Sequence, residues 1–257
     1  MVSRANTSPA APAAPDPPAP DPPAQPGRTG RPPRTSRAEI LEAARRIIDR
    51  DGWEKLTIRR LASEVGVGAM TIYHHVRDRE DLLVQLINDL TDQIPRPQLP
   101  ADPRDRIVVV GVAVHDALAA WPWAAEVLTT DGFLSRVGDS ALWLVETIVA
   151  AAIEGGCTQE QAVVLFRSFW FYTVGEILVR ANSGRRRADG SRPAGRDTIF
   201  SSPDPSMNAL DPAQQPHLAA IGDEWGPISA RNSYPQGLRA LVDGLFAQAA
   251  AENAGAR

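Results

Sequence analysis

The stretch from Thr57 to Leu83, TIRRLASEVGVGAMTIYHHVRDREDLL, constrains this chain more than any other, because two short amphipathic helices and a glycine turn are legible in it. Thr57 can cap the first helix by accepting an orphan backbone N–H, and Leu61, Ala62 and Val65 follow at helical spacing as an inward stripe. Gly66 stands after the last turn, where a left-handed residue without a Cβ is unstrained, and the apolar Val67 can plug the crossing of two helices. Ala62 is small where the second helix must approach, and Ile72 and Val76, four apart, give that helix its buried side. The other side carries Ala69, Met70, Thr71, Tyr73, His74 and His75, flanked by Arg59, Arg60, Arg77 and Arg79. Hydroxyls, imidazoles and methyl groups suit base edges and phosphates. The pattern alone fits two structures equally: a DNA-reading helix-turn-helix, or a tight helical hairpin in an all-helical core.

The flanks narrow the choice. Upstream, Ser36 to Asp51 places Ile40, Leu41, Ala44, Ile47 and Ile48 at helical spacing, with Ser36 as cap and Gly52 as stop. Downstream, Asp78 can cap a helix running to about Asp92, its inner face formed by Leu82, Leu83, Leu86, Ile87 and Leu90. Over Ser36 to Asp92 the chain resembles the tetracycline-repressor (TetR) family of bacterial one-component transcription regulators. The resemblance rests on Gly52-Trp53, on Leu56-Thr57-Ile58-Arg59, on Leu61-Ala62, on Gly66-Val67 and on Tyr73-His74-His75. Two positions depart from the common pattern: Val76 stands where many members carry Phe, and Arg79 where they carry Lys. Both keep the chemistry, apolar in one case and cationic in the other.

The resemblance implies roles for individual side chains. Thr71, Tyr73 and His75 become phosphate or base contacts, Ala69, Met70 and His74 face bases, Arg59 lies near the groove with Thr57 at its helix start, and Arg79 clamps a phosphate. No metal site is expected, since the adjacent His74 and His75 point about 100° apart around a helix and cannot share one ion.

Net charge alone does not argue for DNA: the chain is at −4, and Ser36 to Asp92 holds nine Arg and Lys against eleven Asp and Glu. Placement does, because Arg28, Arg31, Arg34 and Arg37 precede the first helix as a cationic arm. That arm either follows the phosphates or minor groove, or is a solvated tail. Residues 1–35 hold eleven of the 23 prolines and cannot bury a core, so an extended tail is expected there. No secretory pattern and no apolar run of membrane-spanning length is read, and the single Cys157 excludes an internal disulfide framework, so a cytoplasmic protein without membrane association is expected.

Beyond the proline-punctuated linker Pro95 to Pro103, residues 104–252 are expected to form a second, larger helical domain. Its helices are predicted at Asp105 to Ala120, Trp123 to Leu128, Asp131 to Glu154, Thr158 to Ala181, Pro216 to Ile221 and Tyr234 to Glu252, with a mobile loop over 182–215. The fold class is therefore all-α. Aromatics concentrate in this part, and Trp121, Trp123, Phe133, Trp143, Phe169, Trp170 and Tyr172 are candidate pocket residues, as either a ligand lining or core filling. Glu176, an acid among Val174, Ile177 and Leu178, is a candidate polar anchor. The resemblance implies that this domain binds a small apolar or aromatic effector and dimerises through two late helices. Leu238, Leu241, Val242, Leu245 and Phe246 supply the candidate stripe, whose alternative use is an intrachain core.

Around Thr158 to Val179 the chain is also similar to the tetracycline repressors themselves, with Thr173 to Gly175 in common. The metal-binding acid one turn later is Val179, however, and no upstream histidine matches, His115 being a candidate without a place in the pattern, so magnesium-tetracycline is not the implied ligand and no cofactor is expected. Taken together, the sequence predicts a dimeric, ligand-released repressor on a palindromic double-stranded DNA operator. The competing readings are a helical protein-interaction adaptor and an enzyme accessory protein. The enzyme reading finds no phosphate-binding glycine loop or metal-ligand spacing in support, and salt-sensitive binding to a palindrome separates a regulator from both.

Overall fold

The structure, a computed structural model, describes residues 35–130, 136–188 and 210–255. Every regular element among them is helical. The first helix, α1 (Arg37–Asp51), starts at a complete capping box: the Ser36 hydroxyl accepts from Glu39 N–H at 3.2 Å, and the Glu39 carboxylate accepts from Ser36 N–H at 2.7 Å. Gly52, at φ +88°, ends it, and one 3₁₀ turn (Trp53–Lys55) leads to α2 (Ile58–Val65). Thr57 caps α2 as expected, accepting from Arg60 N–H at 3.2 Å. At its other end Gly66 is left-handed (φ 77°, ψ 31°), with Val67 N–H returning to Ala62 O at 2.9 Å and Gly66 N–H to Ser63 O at 3.3 Å. That pair of bonds is a Schellman closure, which turns the chain into α3 (Ala69–Tyr73). Asp78 then caps α4 (Arg79–Asp92), whose Leu82, Leu83, Leu86, Ile87 and Leu90 are all buried.

The larger part begins at α5 (Pro103–Ala120), two residues earlier than the periodicity indicates, because Asp102 caps it and Pro103 fits the first turn. It continues through α6 (Pro122–Leu128), α7 (Asp139–Glu154), α8 (Gln159–Ala188), α9 (Pro216–Ile221), α10 (Trp225–Ser229) and α11 (Tyr234–Gly255). Helix α7 starts at Asp139 rather than Asp131, since Gly138 is its cap and Val137 is buried ahead of it. Residues 131–135, and with them Phe133, lie outside the described residues. The loop expected over 182–215 is shortened at its start, where α8 runs on to Ala188; most of its remainder, 189–209, is outside the described residues. By length and composition Gln159–Ala181 would pass for a membrane-crossing helix, contrary to the expectation that no run reaches that length. Here it is the central helix, packed against α5, α6, α7 and α11.

One continuous apolar core runs from Ile40 of α1 to Ala249 of α11. Helix α4 belongs to both halves: it packs on α1 and also on α7, where Asn88 Oδ1 accepts from Gly138 N–H at 2.7 Å and Glu80 pairs with Arg136 at 3.0 Å.

Candidate nucleic-acid interface and effector cavity

The Schellman turn and the burial of Ile72 and Val76 leave one side of α3 in solvent. Met70 is 71 % exposed and Tyr73 50 %, with Ala69 and His74 exposed beside them and Thr71 and His75 partly so. On the preceding helix Thr57 and Arg59 are exposed too. Eight of the nine candidate DNA contacts are thus exposed or partly exposed along α2, α3 and the turn after it. Arg79 is turned inward. Its guanidinium donates to Leu56 O and Trp53 O, both at 2.8 Å, and lies 5.0 Å over the Trp53 ring. Instead of reaching outward as a phosphate clamp, it fastens the loop that feeds α2. Other cations at this end are also engaged, Arg60 with Asp51 and Arg77 with Asp81, although Arg77 remains largely in solvent. Of the proposed basic arm, Arg37 belongs to α1 and donates to Gln85 at 2.8 Å; Arg28, Arg31 and Arg34 are outside the described residues.

Trp53 connects this end to the larger half, because its indole Nε1–H donates to Glu126 Oε2 on α6 at 2.6 Å. Two residues further along α6, Leu128 lines an apolar cavity of about 60 Å³. Its other walls are Ile87, Thr91 and Ile94 from α4 and its end, Val114 and Leu118 from α5, Val137, Ala141, Leu144, Val145 and Ile148 at α7, and Phe166, Phe169 and Trp170 from α8. The Thr91 hydroxyl already donates to Asn88 O at 2.9 Å, so the lining offers a guest apolar surface with little free hydrogen-bonding capacity.

Of the expected pocket residues that are described, Phe169 and Trp170 line this cavity and the others do not. Trp121 and Trp123 sit at the α5–α6 corner, and Trp143 holds the Arg96 guanidinium 4.8 Å above its ring. Tyr172 stacks on Tyr234 at 5.4 Å. Glu176 is no ligand anchor here: its Oε2 lies 2.7 Å from His115 Nε2, and its other oxygen pairs with Arg180. His115 in turn lies 3.0 Å from Asp116 and stacks on Tyr234 at 3.8 Å. The Tyr234 hydroxyl, 2.8 Å from that of Thr173, is buried, and burial pushes its ionisation well above the ordinary value. This polar cluster ties α5, α8 and α11 together. The aliphatic lining from α4, α5 and α7 has no sequence signature beyond ordinary core spacing.

The stripe expected to meet a partner is likewise redistributed. Leu238, Val242 and Phe246 are buried in the chain's own core against α5 and α8, and Leu241 and Leu245 are only partly exposed. Solvent instead meets a straight line on α8, Val164, Arg167, Phe171 (63 % exposed), Gly175 and Val179, and small residues on α11, Ala240, Gly244, Ala247 and Ala251.

Two family models match the chain: "Bacterial regulatory proteins, tetR family" over residues 40–86, and "Tetracyclin repressor-like, C-terminal domain" over residues 96–249. The chain belongs to the TetR family. The second match carries the likeness far beyond the helix-turn-helix, through the helices that enclose the cavity. Among TetR-family relatives, the transcriptional repressor DrrR1 of Streptomyces coeruleorubidus is 29 % identical over 217 residues, 80 % of this chain and 75 % of that protein. The fold is also that of ActR from Streptomyces coelicolor in complex with actinorhodin (TM-score 0.65, 21 % identity, covering 84 % of this chain and 97 % of ActR). It matches BioQ with its natural double-stranded DNA operator at a TM-score of 0.55 and 20 % identity, covering 83 % of this chain and 99 % of BioQ. This chain is thus a DNA-binding transcriptional regulator of the TetR family.

Proposed function

We propose that this TetR-family chain is a homodimeric repressor that occupies a palindromic operator and leaves it when a small apolar or aromatic molecule enters the cavity between α4 and α8. The observation that carries the reading is the position of that cavity: one wall is α4, which begins at the end of the helix-turn-helix, and another is α6, whose Glu126 holds Trp53. At about 60 Å³ the cavity is too small for a drug-sized guest, so a ligand must part α4 and α6 from α7 and α8 to enter. Such a ligand favours the state with the wider cavity and shifts the DNA-binding equilibrium by its differential affinity for the two states. DrrR1 is a repressor, ActR is seen with actinorhodin and BioQ with operator DNA, all in support of the reading.

The exposed α8 stripe and the small α11 face give the dimer its surface, with Gly175 and Gly244 allowing close approach. A two-fold pair reads two half-sites where one short α3 would read too few bases. In the cytoplasm such a protein represses by occluding a promoter. Purified full-length chain should shift the DNA flanking its own gene at low salt, with the complex dissolving steeply as salt rises. Failure to shift that DNA, or binding indifferent to sequence, contradicts the proposal.

A further inference from the structure

Every base pair offers hydrogen-bonding groups in the major groove, and the side chains that read them most selectively are few: Arg or Lys with two bonds to guanine, Asn or Gln with two to adenine, and Asp or Glu accepting from the cytosine amino group. Between Ala69 and His75 this chain has none of them. Among the nearby guanidinium groups, Arg60 is paired to Asp51, Arg77 to Asp81 and Arg79 is turned onto the Leu56 and Trp53 carbonyls, while Arg59 is exposed on α2 rather than on α3. What the open side of α3 presents instead is single hydrogen-bonding groups, the Thr71 hydroxyl and the His74 and His75 rings, beside an apolar patch. Met70, at 71 %, is the most exposed large hydrophobic side chain among the described residues, with the Ala69 methyl next to it and the half-exposed Tyr73 ring on the following turn. A long unbranched thioether left in water at that position has no core to fill. The one apolar feature of a major-groove base edge is the C5-methyl of thymine.

We infer that this chain selects its operator by the methyl groups of thymines, and that Met70 is the specificity-determining side chain. The inference rests on the regulator reading above and adds which bases are chosen and by what force. Ala69 and the Tyr73 ring complete the apolar contact, while the exposed Arg59 is left for a guanine or a phosphate at the edge of the half-site.

The test uses the full chain and a pool of random duplexes. In the enriched duplex each thymine is replaced singly by deoxyuridine, which lacks only the methyl group, and affinity is measured at one fixed salt concentration. At the thymines facing Met70 the replacement should weaken binding about fourfold, the value of one buried methyl-sized group. Met70→Ala should bind with the same salt dependence, but its penalty for deoxyuridine should fall below about 1.5-fold, and Met70→Leu should restore it. Because Met70 lies outside the core, melting of the variants should match that of the parent chain. If every deoxyuridine duplex binds within about 1.5-fold of the parent, or the penalty persists unchanged in Met70→Ala, the inference is wrong while the regulator reading stands. A pool that yields no enriched sequence overturns both.

Discussion

Replacing Arg79 by methionine separates two roles that the sequence alone cannot tell apart. If the guanidinium holds the loop before α2, the variant loses two hydrogen bonds of 2.8 Å, to Leu56 O and Trp53 O, and the stack on Trp53. For a charged donor at a partly buried site each bond contributes about 1.5 kcal/mol, and the stack adds about 0.5–1 kcal/mol, so the expected loss is about 3.5–4 kcal/mol. Lysine restores the charge and one donor but not the flat fork, and should recover about half of it. Urea unfolding followed by circular dichroism measures this loss directly. The second readout is the salt dependence of DNA binding. A residue on a phosphate contributes a slope of about 0.9 in log K against log salt, so removing it would flatten the plot by that amount for each chain. An inward Arg79 predicts an unchanged slope for whatever fraction of Arg79→Met remains folded. A variant with parental stability and a flattened slope would refute the loop-holding role and return Arg79 to the phosphate.

Gly66→Ala should cost about 1–2 kcal/mol in urea unfolding through the left-handed backbone alone, because an added Cβ meets nothing within 4 Å there. Phe169→Ala, at a buried ring on the cavity wall, should destabilise the chain by about 3–5 kcal/mol and raise its uptake of an apolar fluorescent dye. Phe171→Arg should convert a dimer into a folded monomer in sedimentation, because within the chain the exposed ring's contact is with the Arg167 guanidinium 5.5 Å above it rather than with the core. Acid should loosen the helix-turn-helix end. Burial would raise the Asp81 carboxyl, but the N–H and guanidinium of Arg77 and the Gln85 amide hold it below its ordinary 3.8, and Ser36 likewise lowers Glu39. Depressed carboxyls stabilise the fold in full above their unfolded values and lose that contribution as pH falls through the folded ones. The melting temperature should therefore stay level from pH 7 to 5 and drop below about pH 4, less so in Asp81→Asn.

The helix-turn-helix was readable because its signals are local. Caps at Ser36, Thr57 and Asp78, the left-handed Gly66 and the spacing of Ile72 and Val76 each act within one or two turns. The cavity was not readable, because its wall is assembled from ordinary aliphatic positions far apart in the chain, and periodicity marks a face as buried without saying against what. For that reason Leu238, Val242 and Phe246 pointed to a partner when their neighbours are α5 and α8. Glu176 shows the same limit: an acid in an apolar run announces a partner, but nothing in the sequence links it to His115, 61 residues away. The aromatic cluster of α8 was split three ways. Phe169 and Trp170 face the cavity, Tyr172 stacks on Tyr234, and Phe171 stands in solvent, an arrangement fixed only once the neighbouring helices are in place.

On the proposed function, two copies of this chain act as one reader of DNA. Sedimentation of the full chain with its selected duplex, combined with a footprint on the same duplex, tests it most directly. Two chains, or a multiple of two, are expected on each duplex, with protection of two inverted half-sites about 10 base pairs or a multiple apart. One chain on a single, non-palindromic half-site at saturation would contradict it.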